Sequence, residues 1–139
     1  MQVIDSSELK MLPHCLLVQF AVFCAKQVQH LIPDEHREVC NKAIEAAEGF
    51  IYGTVSKEEC LDVAYDAYIA RSIYPAAHAA YTATHAVDYA YTDAAYAAET
   101  VVDVIDQFNQ LAFIKAQWDY YQELLDFANN KQIEEMICK

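Results

Sequence analysis

Residues 74–98 read YPAAHAAYTATHAVDYAYTDAAYAA, and this run constrains the fold more than any other part of the chain. Alanine is the strongest helix former, and Pro75 suits a first-turn position, where its missing N–H is no loss. Nothing after Pro75 interrupts a helix, which the pattern carries to about residue 91. At about 3.6 residues per turn two faces separate. Ala76, Ala80, Ala83, Val87 and Ala90 make a smooth strip that lets another helix approach closely. Tyr74, His78, Tyr81, His85 and Asp88 follow a 4-3-4-3 spacing down a second face, the spacing that usually carries an apolar seam. This seam is aromatic and hydrogen-bonding, and it admits two readings. Either its tyrosines are core residues with satisfied hydroxyls, or they form a recognition face.

The remainder of the chain supports a helical architecture. Two glycines and three prolines in 139 residues leave little turn chemistry, so the elements are few and long. Ser6 and Ser7 precede a short first helix, and Pro13 opens a longer one with Leu16, Leu17, Phe20, Phe23, Cys24, Val28 and Leu31 on its apolar face. That helix should end near Ile32, before Pro33. A third helix is predicted over residues 33–52, with Val39, Ala43, Ala46, Ala47 and Phe50 inward and Glu38, Glu45 and Glu48 on a solvated face. Gly53 reads as its left-handed stop. Ser56-Lys57-Glu58-Glu59 is a capping-box pattern that starts a helix over residues 57–73, on which Leu61, Ala64, Tyr65 and Tyr68 share a side. Thr92-Asp93 either caps a new helix or sits inside a continuing one. A break is expected between residues 100 and 109, then an amphipathic helix up to Asn129-Asn130. Strand-like alternation is absent, and the prediction is an all-α, single compact bundle of about six helices.

Charge narrows the partners. Nine basic against 21 acidic residues give a net charge of -12, which argues against direct nucleic acid binding and against an anionic membrane surface. It favours steering towards a basic partner. Five cysteines without a C-x-x-C pair, set in apolar helix patterns, read as small hydrophobes in a reducing compartment, and the acidic amino terminus lacks the basic region of a secretion signal. A cytoplasmic protein is expected.

Certain segments, in their order along the chain, resemble a known family. Gly53-Thr54-Val55-Ser56-Lys57-Glu58-Glu59, the alanine-dense run over residues 64–98, and Gln117-Trp118 with Leu124-Leu125 are similar to the alanine-rich immunity-protein-five-like family of polymorphic-toxin immunity proteins and phage relatives. The resemblance covers residues 34–128, with residues 1–32 as added N-terminal helices. It implies an all-α fold and a role in neutralising a protein partner, a toxin or defence component. It transfers no catalytic residue.

Direct readings of the chemistry agree with a binding role. His78 and His85 lie about 10 Å apart along a helix axis, too far to chelate one metal. His85 and Asp88 are spaced to share one, with Asp93 or the Asp62–Asp66 pair joining, yet the chain has no di-iron or H-E-x-x-H repeat. A hydrogen-bonded Tyr–His–Asp network is the favoured reading, without metal or cofactor. No nucleophile elbow, P-loop or dinucleotide fingerprint is present, and no enzymatic activity is expected. Tyr81, Tyr89 or Trp118 offers a stacking surface for a base, and a pocket near Tyr81, His85 and Arg71 defines the alternative of an anti-defence sponge for a signalling nucleotide. Against this, Arg71 is the one Lys or Arg between Glu58 and Asp106. An alanine face and a Tyr/His face on one helix also hint at a homo-oligomer.

Overall fold

The computed structural model describes residues 2–71, 75–88 and 90–130, with the backbone alone at 69–71, 75 and 90. The described residues form seven α-helices: α1 (Ser6–Leu9), α2 (His14–Val28), α3 (Asp34–Ile51), α4 (Lys57–Arg71), α5 (Pro75–His85), α6 (Ala90–Val104) and α7 (Gln110–Asn129). One 3-10 turn, Gln29–Leu31, follows α2. No strand occurs among them, so the architecture is the all-α bundle that the sequence predicts, with seven helices instead of six. The tail KQIEEMICK, for which the sequence suggests a further helical turn or two, lies outside the described residues.

The ends of the elements have local causes. The first helix is capped one residue earlier than expected, by Asp5, whose Oδ1 accepts the backbone N–H of Ser7 and Glu8. Pro13 and Pro33 stand immediately before α2 and α3 in extended conformation. Ser56 Oγ accepts the Glu59 N–H at 3.1 Å, as the capping box requires. Gly53 adopts φ 80°, the left-handed stop. Just before it, Gly49 O accepts from Thr54 N and Val55 N, so the loop folds tightly onto the last turn of α3.

The longest predicted run behaves differently. A single helix to residue 91 does not form: α5 ends at His85, and Ala86, Val87 and Asp88 make a turn before α6 begins at Ala90. No glycine or proline marks the break. Ala86 and Val87 are both buried, so the turn is held by packing while Ala86 N and Asp88 N still bond back to Thr82 O and His85 O. Thr92 and Asp93 therefore lie inside the first turn of α6 and do not precede it.

Helix α5 is the centre of the bundle, touching α2, α3, α4 and α6. Ala76, Ala80, Ala83 and Val87 of the smooth strip are all buried, and so are Ala77, Ala79 and Ala86. Such small side chains permit interaxial distances near the short end of the usual range, about 8 Å. The hydroxyls of Thr82 and Thr84, buried in the same helix, bond back to Ala79 O at 3.0 Å and Ala80 O at 2.8 Å. Around it lies an apolar shell, including Phe20, Leu16, Val28, Ile44 and Val101, each fully buried. Cys24, Cys40 and Cys60 are buried free thiols, as predicted, whereas Cys15 is disulfide-bonded and so departs from the expectation of reduced small hydrophobes.

Two substitutions test this packing. Phe20→Ala should cost about 3–5 kcal/mol in urea unfolding, the usual loss for a fully buried aromatic. Gly49→Ala is the sharper case, because helix propensity alone would stabilise it by about 1 kcal/mol. A Cβ there would collide with Val55 Cγ2 and sit 2.8 Å from Thr54 Oγ1. The melting temperature should therefore fall, not rise.

Candidate functional site

On α5 every described residue with a described side chain is buried except three: His78, Tyr81 and His85, each half-buried. They sit at the i, i+3 and i+7 positions of one edge, and their rings lie nearly parallel. His78 and Tyr81 have centroids 6.3 Å apart at 23°, and Tyr81 and His85 5.4 Å apart at 17°. The seam is thus neither core nor free surface: burial on all other sides of α5 pins the helix, and this edge stays at the boundary with solvent.

Helix α4 supplies the opposing wall. Tyr68 meets Tyr81 edge-on, centroids 5.7 Å apart at 69°, and Tyr65 lies one turn earlier. Leu61, Ala64, Tyr65, Tyr68, Tyr81 and His85 line a shallow cavity of about 200 Å³. The sequence placed Tyr65 and Tyr68 on one side of α4, together with Leu61 and Ala64. Ala64 is buried, but Tyr65 is 73% and Tyr68 45% exposed. The positions of α4 that are buried there are Ala64 and Ala67, so small side chains fill the interior and the tyrosines flank it. The signal available in the sequence was Tyr65's position beside the acidic Asp62–Asp66 flank, both members of which are exposed.

Behind the cavity, His85 Nδ1 and Asp93 Oδ2 are hydrogen-bonded at 2.8 Å across the turn between α5 and α6. Asp93 is buried, and burial raises its carboxyl above the ordinary value of 3.8, against the opposing pull of the His85 bond. His78 Nδ1 lies 3.4 Å from Thr100 Oγ1. Of the predicted Tyr–His–Asp network the structure shows the His–Asp bond, with Asp93 as the carboxylate, while Tyr81 meets His85 by ring stacking. Asp88 is not on the helical seam: it sits in the turn, where the Lys57 ammonium at 2.8 Å holds its carboxyl below the usual range. Tyr74, Tyr89 and the Arg71 side chain lie outside the described residues, so the predicted Arg71 contribution to the pocket does too.

Other chemistry has less support. Among the described residues no group of three or more His, Cys, Asp or Glu is placed to hold a metal ion. Burial raises the pKa of Cys24, Cys40 and Cys60, and Cys60 is pushed up to about 11 with Glu59 adding to the effect; such thiols are poor nucleophiles at neutral pH. A second cavity, about 350 Å³, opens between α2, α3 and α7 beside Gln19, Tyr52, Tyr120, Glu123 and Phe127. Sequence reasoning missed it, since nothing local marks Gln19 of α2 and Tyr120 of α7 as neighbours. In the fold the Gln19 amide donates to Tyr120 Oη at 2.9 Å, and the Tyr120 ring stacks on Phe23 at 4.3 Å.

The fold and this edge define a small acidic helical bundle that displays aromatic side chains. Among family models, curated proteins and solved structures, nothing matches this chain. Among the described residues no helix is long and apolar enough to cross a membrane.

The buried carboxyl gives a prediction with a definite sign. With its folded pKa raised, Asp93 holds a proton in the native state that the unfolded chain has already released just above pH 3.8. Native stability therefore falls as pH rises through that window. Asp93→Asn removes the titration, so urea unfolding from pH 4 upward should show the variant gaining on the parent protein; a constant difference would count against the assignment.

Proposed function

We propose that the chain is a non-enzymatic binding protein that neutralises a basic protein partner, an immunity or anti-defence inhibitor of the kind the family resemblance implies. One observation carries the reading. Tyr65 and Tyr68, exposed on α4, converge with Tyr81 and His85 of α5 into one aromatic concavity on an acidic protein. Exposed tyrosines give large contact area at low entropic cost, which is why they are enriched at interfaces. The negative charge, with Glu58, Asp62 and Asp66 exposed along α4, suits a positively charged partner.

The nucleotide-sponge alternative has less to stand on. A cavity of about 200 Å³ is smaller than the roughly 300–1,000 Å³ of pockets that enclose drug-sized ligands, and no described lining residue is Lys or Arg. Self-association through the alanine face is disfavoured as well, because α2, α3, α4 and α6 already cover that face within one chain.

The test pairs recovery of the partner with stability. The chain should retain a specific basic protein from its native host at low ionic strength and release it as salt rises. Tyr65→Ala with Tyr68→Ala should lose at least about tenfold in affinity for that protein. Because both side chains are exposed, unfolding free energy should move by only about 0.5 kcal/mol per site. Undiminished affinity in the double variant would refute the α4–α5 face as the docking surface.

A further inference from the structure

We infer that the concavity between α4 and α5 is an aromatic cage for a single organic cation, the ammonium or guanidinium head of a partner's lysine or arginine side chain. The inference rests on the reading of this face as the partner's docking surface and names the group that enters it. Three features point the same way.

The first is geometry. Tyr68 and Tyr81 meet at 69°, so they form two walls of a corner, and His85 stacks against Tyr81 at 17° beside it. Tyr65 lines the outer side, with Leu61 and Ala64 as an apolar floor. A cation within about 6 Å of several ring centroids is attracted by each ring's quadrupole, and partial desolvation strengthens the effect. The second is size: about 200 Å³ holds one head group. The third is charge. Glu58, Asp62 and Asp66 lie exposed along α4, and Lys57 at its start is paired with Asp88. The surrounding potential therefore favours a positive occupant and opposes a phosphate or carboxylate. The chain also makes this interaction internally, placing Lys10 Nζ 5.2 Å from the ring centroid of Tyr91.

Choline and its neutral isostere 3,3-dimethylbutan-1-ol separate cation recognition from plain apolar burial, since they share shape and differ in charge. Titration of the full chain at low ionic strength, followed by nuclear magnetic resonance, should give saturable shifts for Leu61, Tyr65, Tyr68, Tyr81 and His85 with choline. The alcohol should bind about tenfold more weakly. Tyr65→Leu, which keeps apolar bulk and removes the ring, should weaken choline several-fold, whereas Tyr65→Phe should stay close to the parent protein. Equal binding of choline and the alcohol, no saturable shift, or an unchanged Tyr65→Leu variant would each overturn the cage. If Tyr65→Ala with Tyr68→Ala releases the partner while choline fails to bind, the docking surface stands and the cage falls. If choline binds as described but the partner is retained, the cage stands and the docking surface falls.

Discussion

Close packing of alanine against alanine is the constraint on which the other features depend. Ala77, Ala79, Ala80 and Ala83 on α5 and Ala94, Ala97 and Ala98 on α6 are fully buried, so the contacts of the central helices are filled by the smallest side chains. Faces of that kind permit close approach, where many small dispersion contacts replace the interdigitation of large side chains. Among the described residues the buried positions of α4 and α5 are cysteine, alanine and threonine, and none is aromatic. Tyr65, Tyr68 and Tyr96 are exposed, and Tyr81 reaches only the boundary. The aromatic surface of the protein is in this sense a product of its alanine core.

Bulk excluded from the centre is placed in the outer layer, where polar tips do much of the joining. Helix α7 is tied to the rest by amides and hydroxyls as well as by Ile114 and Leu124. Gln117, fully buried, donates to Gln27 Oε1 at 3.0 Å and to Ala98 O at 3.3 Å. Trp118 Nε1 donates to Gln2 O at 2.8 Å and Tyr121 Oη to Glu8 O at 2.7 Å, so one helix fastens the amino-terminal segment from two turns. Each bond fixes a direction as well as a contact. That matters in a bundle whose centre is so smooth that alanine faces alone specify register weakly. Gln19 and Tyr120 perform the same service between α2 and α7, and the cavity of about 350 Å³ opens beside them.

How much of this was legible in the sequence varies with the range of the interaction. Caps and stops were, because they are set by a few neighbouring residues: Ser56 with Glu59, Gly53 in the left-handed region, and the prolines before α2 and α3. The edge of α5 carrying His78, Tyr81 and His85 was also readable, since helical spacing alone puts those rings in line. Asp88 was misplaced because nothing local signals the turn at 86–88. That turn exists because Ala86 and Val87 bury against other helices, an interaction with no local trace in the sequence. The shared side of Tyr65 and Tyr68 was legible from helical spacing, but whether that side meets a neighbour or solvent is decided by packing and has no local signal.

The sequence by itself determined that the chain is helical, acidic and organised around an alanine-dense segment edged with His and Tyr. Helix propensity, charge and periodicity are properties of the residues and their nearest neighbours along the chain. Tertiary structure alone decided that the segment is split in two and that Asp93, not Asp88, is the partner of His85. It alone joined the rings of α4 to those of α5 in one concavity. Each of these outcomes depends on which surfaces meet, and the close approach of alanine faces from separate helices is a distance that only the assembled bundle defines.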